Sequence, residues 1–310
     1  MKLNSFEEVK RLTQEMVAIP SINKEPKGET AVAKYIYDYY MGLDYFKEYP
    51  ERVKMFQTKN DFVERHSTYA YVKGTKGDSG RTVILIGHLD TVGVDDFGTI
   101  REYAFKCEEL PEKLKETFKL SDEVLEDIES GEYMFGRGAL DMKSGCAAIM
   151  LTLAKFAEEH LREGSFRGKL IYHLVSDEEG PYGLGTVYII NDKIHNIQEE
   201  ADFAIIAEPS AGFTRVPHPC LCLGARGGYN YTIKVHGKSA HAATPELGIN
   251  AMVDASAIVS ELEKIPPEED EKLGHSTPCV IRMNGGGAAS RIMPKWKSST
   301  IRSEERLRRR

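Results

Sequence analysis

Val83-Ile-Leu-Ile-Gly-His-Leu-Asp90 is the stretch that decides how the rest of the chain reads. Four consecutive apolar residues, three of them β-branched, suit a strand buried on both faces of a sheet. Side chains alternate along a strand, so His88 and Asp90 leave its end on the same side. An imidazole that binds metal needs its second ring nitrogen held by an acceptor, and a carboxylate two residues on can reach that ring or a neighbouring ligand. The pattern favours a metal site, and the residues downstream of it decide whether it is more than a polar strand end.

Two further strands end in the same way. Lys169–Val175 runs into Ser176-Asp-Glu-Glu-Gly180, and 201–207 runs into Glu208-Pro-Ser210. Adjacent carboxylates after a buried strand are costly unless cations or solvent neutralise them, so the first is either an exposed acidic turn or a cation site. Between these strands lies Phe135-Gly-Arg-Gly-Ala-Leu-Asp-Met-Lys-Ser-Gly145, in which glycines permit tight geometry and Asp141 projects from the loop ahead of an apolar helix. A phosphate loop is excluded there, because the Gly-x-x-x-x-Gly-Lys-Ser/Thr pattern is missing and an acid sits where an anion would bind. In open α/β sheets ligands gather outside the carboxyl ends of the strands. One shared site built from His88, Asp141, Glu179 and Glu208 is therefore the economical reading, a donor set suited to Zn²⁺, Co²⁺ or Mn²⁺.

Around this frame the periodicities predict a helix from Ser5 towards Ile19 with Phe6, Val9, Leu12 and Val17 inward, and a second over Glu29–Tyr40. Thr68–Val72 and Thr82–Ile86 read as a hairpin joined by a Gly/Lys/Asp-rich turn, and 101–132 as a charged helical surface insertion. From Gly227 the texture changes to a half-exposed alternating strand, the turn Gly237–His241, an amphipathic helix and a further strand. This predicts a catalytic domain over 1–225 and a smaller α+β domain over 226–310.

Composition narrows the function. With 41% hydrophobic and 29% charged residues the chain is globular, and no apolar run approaches the ~20 residues of a membrane span. A net charge of −7 opposes nucleic acid as a partner, although the last ten residues hold five arginines. The N-terminus shows no apolar signal core and the five cysteines are irregularly spaced, so reduced thiols and a cytoplasmic setting are expected.

Taken together, Gly87–Val92, Gly136–Gly145, Ser176–Gly180, Glu208–Ser210 and Gly237–Pro245 followed by Gly248–Ala251 resemble the co-catalytic dizinc hydrolases that include carboxypeptidase G, aminoacylase, acetylornithine deacetylase and succinyl-diaminopimelate desuccinylase. The long spacing from His88 to Asp141 looks most like the bacterial arginine-utilisation branch. The resemblance implies a zinc-exopeptidase-like mixed α/β sheet flanked by helices, with an inserted lid and dimerisation domain. It further implies two divalent ions bridged by Asp141, with His88 and Glu208 on one and Glu179 on the other. Glu178 would be the general base, Asp90 would support His88, and His241 of the lid would reach the substrate across a homodimer. A cis peptide after Asp141 is implied as well. The expected activity is hydrolysis of an amide or peptide bond in a small acylated amino acid or peptide. The family's last metal-binding histidine near the C-terminus has no counterpart, since no histidine comes after His275. The expectation is thus a C-terminally truncated or frame-shifted chain that holds its second ion poorly, and a non-catalytic metal- or amino-acid-binding remnant is the alternative function.

Overall fold

The structure, a computed structural model, describes residues 5–25, 27–58, 61–76, 81–163, 168–176, 178–180, 202–209, 221, 229–271, 274–276, 279–285 and 298–305. The chain divides into two compact units, Met1–Arg215 and Val216–Arg310. The boundary expected near 225 falls among residues outside the described ones.

The first unit is built on a five-stranded sheet in the order β1-β2-β4-β3-β5, from β1 (Val53–Gln57), β2 (His66–Lys73), β3 (Thr82–His88), β4 (Lys169–Val175) and β5 (Phe203–Ile206). β3 lies parallel to both β4 and β5, whereas β2 is antiparallel to β1 and to β4. The expected hairpin between β2 and β3 does not form, because β4 occupies the place between them. A turn-rich linker signals that the chain reverses direction, which it does, but carries nothing about which strand fills the gap. That is settled by the crossover through α6 (Ser144–Glu163), which returns β4 parallel to β3.

α1 (Ser5–Val17), α2 (Gly28–Met41) and α6 cover one face of this sheet. Leu12, Met16, Val32, Ile36, Leu85, Met150 and Leu153 form a single buried cluster there, joined by Tyr45 and Phe46 of the short α3 (Asp44–Glu48). Phe6, expected inward, is 71% exposed at the first turn of α1. Alternation along β2 sends Ala70 and Val72 into that cluster, while Tyr69 and Tyr71 join Phe56 and Ile84 in a smaller one. The charged insertion takes the expected helical form, as a 3₁₀ segment Asp95–Tyr103, α4 (Leu110–Thr117) and α5 (Asp122–Ser130), the last capped by Ser121.

The second unit carries a three-stranded antiparallel sheet in the order β6-β10-β9, from β6 (Tyr229–His236), β9 (Cys279–Asn284) and β10 (Ser298–Glu305). α7 (Ala251–Leu262) is capped by the Asn250 side chain, and Glu269–Asp270 (β7) and Gly274–His275 (β8) form a separate short pair. β10 overlaps the arginine-rich terminal segment, which as sequence shows no strand signal. It is specified by main-chain pairing on both sides rather than by an apolar pattern. Among the described residues no helix is long and apolar enough to cross a membrane, and Cys107, Cys146 and Cys279 are in no disulfide. Cys220 and Cys222 lie outside the described residues.

Candidate metal centre

The chain leaves β3 for β4 on one side and then reaches β5 on the other, so the end of β3 is the point where strand order reverses. Parallel strands diverge into loops at such a point, leaving a crevice beyond their carboxyl ends. The three strand ends there deliver His88, the turn holding Glu178 and Glu179, and Glu208. Asp141 reaches the same place from a one-turn π segment, Ala139–Lys143, between β3 and α6. Gly138, at φ 81°, makes the turn into that segment. At Gly145 a Cβ would stand 2.2 Å from the carbonyl oxygen of Ala207, so the start of α6 passes the end of β5 at a distance open only to glycine.

His88 is 2% exposed and sits at the centre. Its Nε2 lies 2.9 Å from Asp141 Oδ1 and 3.5 Å from Glu208 Oε1, and ligand atoms of His88, Asp141 and Glu179 all fall within 4.8 Å of one another. Its Nδ1 is 3.0 Å from the main-chain oxygen of Asp90. A carbonyl can only accept, so Nδ1 carries the proton and Nε2 is the nitrogen that faces the carboxylates. The strand end is held from below, where the His88 amide meets Met142 Sδ and the Cys146 thiol donates to the His88 carbonyl. The Asp141–Met142 peptide is cis.

Asp90 holds His88 through its main chain and carries a second task on its carboxylate. Its carboxylate is 3.6 Å from His88 Nδ1, beyond hydrogen-bond range, and it is the backbone carbonyl of Asp90 that steadies the ring. The carboxylate, wholly buried, accepts instead from the amides of Glu178 (3.1 Å) and Glu179 (2.9 Å) and from Asn23 Nδ2 (2.8 Å). Lys143 provides a second tie, donating from Nζ to the carbonyls of Met16 and Ile19 at the end of α1.

The electrostatics show one imidazole among a surplus of carboxylates. Burial pushes the Glu179 and Glu208 carboxyls up to about 7, with the Asp141 charge adding to the effect, and raises Glu178 likewise. For His88, burial opposes the charge, but the hydrogen bond to Asp141 and the nearby charges of Asp90 and Glu208 outweigh it and push the ring up to about 11. Asp90 is held below the usual carboxylate range: burial works against its charge and its donors more than offset that. Burial alone brings Lys143 down to about 7. Carboxylates that resist ionisation beside one another are neutralised well by a divalent cation, and loading one would displace the protons they hold.

Of the residues singled out in the sequence, His88, Asp141, Glu179 and Glu208 come together, with Glu178 beside Glu179 on the same turn. His241 lies in the second unit, exposed, with Nδ1 accepting from the Ala243 amide. Asn23 carried no signal, since an asparagine in a Pro-Ser-Ile-Asn turn is ordinary turn chemistry. Lys143 lies in the Gly136–Gly145 stretch, where nothing along the chain assigns it a role, and its long side chain turns inward.

Residues 84–291 match peptidase family M20/M25/M40. RocB of Bacillus subtilis (strain 168) is 31% identical over 265 residues, covering 84% of this chain and 45% of RocB. A solved M20 family metallo-carboxypeptidase of Sulfolobus solfataricus superposes over 97% of this chain and 71% of its own, at a TM-score of 0.62 and 16% identity. A Bacillus subtilis structure described as a dinuclear metal-binding peptidase of the M20 family matches 98% of this chain and 65% of its own, at a TM-score of 0.52 and 10% identity. The chain spans about half the length of the curated relatives it matches.

Proposed function

The chain belongs to peptidase family M20/M25/M40, and on that premise we propose that it is a metal-dependent hydrolase of an amide or peptide bond in a small acylated amino acid or peptide. The observation that carries this is the convergence of His88, Asp141 and Glu179 ligand atoms within 4.8 Å, with Glu208 3.5 Å from the same imidazole nitrogen. One nitrogen and several carboxylate oxygens suit zinc, cobalt or manganese. His88 and Glu208 would hold one ion and Glu179 the other, with Asp141 between them. Divalent ions bound there supply a Lewis acid and a lowered water pKa.

The chain's own groups account for the rest. The Nδ1 proton donated to the Asp90 carbonyl keeps Nε2 of His88 turned to the site, where it would bind an ion once its own proton is displaced. Glu178, raised by burial from the usual carboxylate range, takes a proton from the attacking water and returns it to the leaving amine. The likeness to RocB supports a substrate from amino-acid, specifically arginine, utilisation. The family resemblance is what favours a lid and homodimerisation role for the second unit, with His241 the residue that would meet the substrate across a homodimer.

Metal analysis of the purified chain, together with turnover of N-acyl amino acids, tests the reading. Zinc or cobalt uptake with hydrolysis that Glu178→Gln abolishes at unchanged metal content is the expected result. Failure to take up any divalent ion overturns it, and uptake without turnover of any amide substrate favours the non-catalytic binding alternative.

A further inference from the structure

Asn23 lies on the turn after α1, far in sequence from every residue of the metal group. That turn is fastened along the segment after β3: Ser21 Oγ donates to the Leu89 carbonyl (2.7 Å), the Thr91 amide to Ser21 (2.9 Å) and the Asn23 amide to Thr91 (2.8 Å). Backbone contacts thus fix where the Asn23 side chain starts, and its Nδ2 reaches Asp90 Oδ2 at 2.8 Å. The same oxygen accepts the Glu179 amide, while Oδ1 accepts the Glu178 amide.

Two successive main-chain amides converging on one carboxylate fix the two peptide planes, and with them the directions in which the Glu178 and Glu179 side chains leave the backbone. The carboxylate can do this only if its own rotation is set, and the terminal torsion of an aspartate is intrinsically broad. Asn23 is the third donor and, among the described residues, the one side-chain amide at hydrogen-bond distance, so it selects the rotation in which both backbone amides are served. We propose that Asn23 is a positioning residue which, through the Asp90 carboxylate, aims the Glu178–Glu179 turn at the metal group. The inference rests on the hydrolase reading for its purpose but not for its mechanics.

The test uses the full chain, labelled with ¹⁵N-glutamate, as wild type and as Asn23→Leu, Asn23→Ala, Asp90→Asn and the Asn23→Leu/Asp90→Asn double variant. Amide exchange at Glu178 and Glu179 is followed without metal, and Co²⁺ affinity by calorimetry. In either Asn23 variant both amides are expected to exchange about tenfold faster while the buried α2 residue Glu29 keeps its rate, and Co²⁺ affinity falls about tenfold, the effect of losing one hydrogen bond to an ionised acceptor. In the Asp90→Asn background the Asn23 substitution adds less than about twofold, because the path it acts through is gone. Unchanged exchange at both amides overturns the proposal, and so does simple addition of the two losses. A wild-type chain that takes up no Co²⁺, while Asn23→Leu still loosens both amides, sinks the hydrolase reading and leaves the role of Asn23 standing.

Discussion

Two clusters in the first unit gather carboxylates around a single cationic side chain, and they behave in opposite ways. Arg65, with no exposed surface, donates from Nε to Glu29 (2.6 Å) and from Nη1 to both oxygens of Asp61 (2.6 and 2.5 Å), tying α2 to the approach to β2. At the end of β3, His88 faces Asp141 and Glu208 with Glu179 close by. Around Arg65 the carboxyl of Asp61 is held below its usual range: burial opposes the charge, but the guanidinium and the Val63 and Thr58 donors prevail. Around His88 the carboxyls of Glu178, Glu179 and Glu208 are pushed up. A guanidinium is always charged and meets its partners in a fixed fork, so Arg65 holds both of its carboxylates directly. One imidazole cannot balance the second, and on the proposed function divalent cations would complete it. The difference separates a buried ion pair that ties two elements together from a carboxylate-rich group fitted, on the proposed function, to bind a cation.

Substitutions should split the two along that line. Arg65→Met leaves Glu29 and Asp61 buried without their cation and is expected to lower unfolding free energy in urea by roughly 3–5 kcal/mol, with Co²⁺ affinity per folded molecule unchanged. Asp141→Asn should do the reverse. Calorimetry should show Co²⁺ affinity reduced on the order of a hundredfold, about 2.7 kcal/mol, while the metal-free chain loses no more than about 1 kcal/mol, since the like charge removed from beside Glu179 and Glu208 offsets the weakened His88 contact. Equal effects of both variants on stability would break the comparison.

Gly145→Ala falls between the two, because it forces a Cβ against the Ala207 carbonyl where α6 passes β5. A loss of about 1–3 kcal/mol in stability is expected, together with weaker Co²⁺ binding as Glu208 is displaced. Stability without metal sharpens the contrast with the smallest effect. Glu179 and Glu208 are raised from 4.5 to about 7, so the folded chain binds more protons than the unfolded one between those values and their contribution falls as pH rises from 5 to 8. Asp61 is lowered, so its contribution is present above 3.8 and is lost only in stronger acid. Accordingly the rise in melting temperature produced by Co²⁺ should grow from pH 5 to pH 8 in the wild type, and a rise independent of pH would contradict the charge surplus at His88.

Much of the candidate site was legible because its residues end strands, and strand ends are marked by a change from apolar to polar residues. Asp90 shows where this stops. The motif places it beside His88, but proximity along the chain does not say which of its atoms serves the ring. The carboxylate is taken by amides 88 and 89 residues away and by Asn23. Lys143 was hidden for a related reason, since a lysine in a polar loop gives no sign that its ammonium will be buried on the carbonyls that end α1.

The sequence by itself determined the first two helices, the strands β3 and β4 at or near their observed bounds, the helical insertion and the residue types of the site. Each of these depends on local periodicity or on the chemistry of a few adjacent side chains. Only the tertiary structure decided that β4 separates β2 from β3, that the terminal segment supplies the middle strand of the second sheet, and that Asn23 shares the Asp90 carboxylate with the Glu178–Glu179 turn. Pairing partners and third donors are chosen by what else in the fold comes within about 3 Å of a main-chain or carboxylate oxygen, and that distance has no signature along the chain.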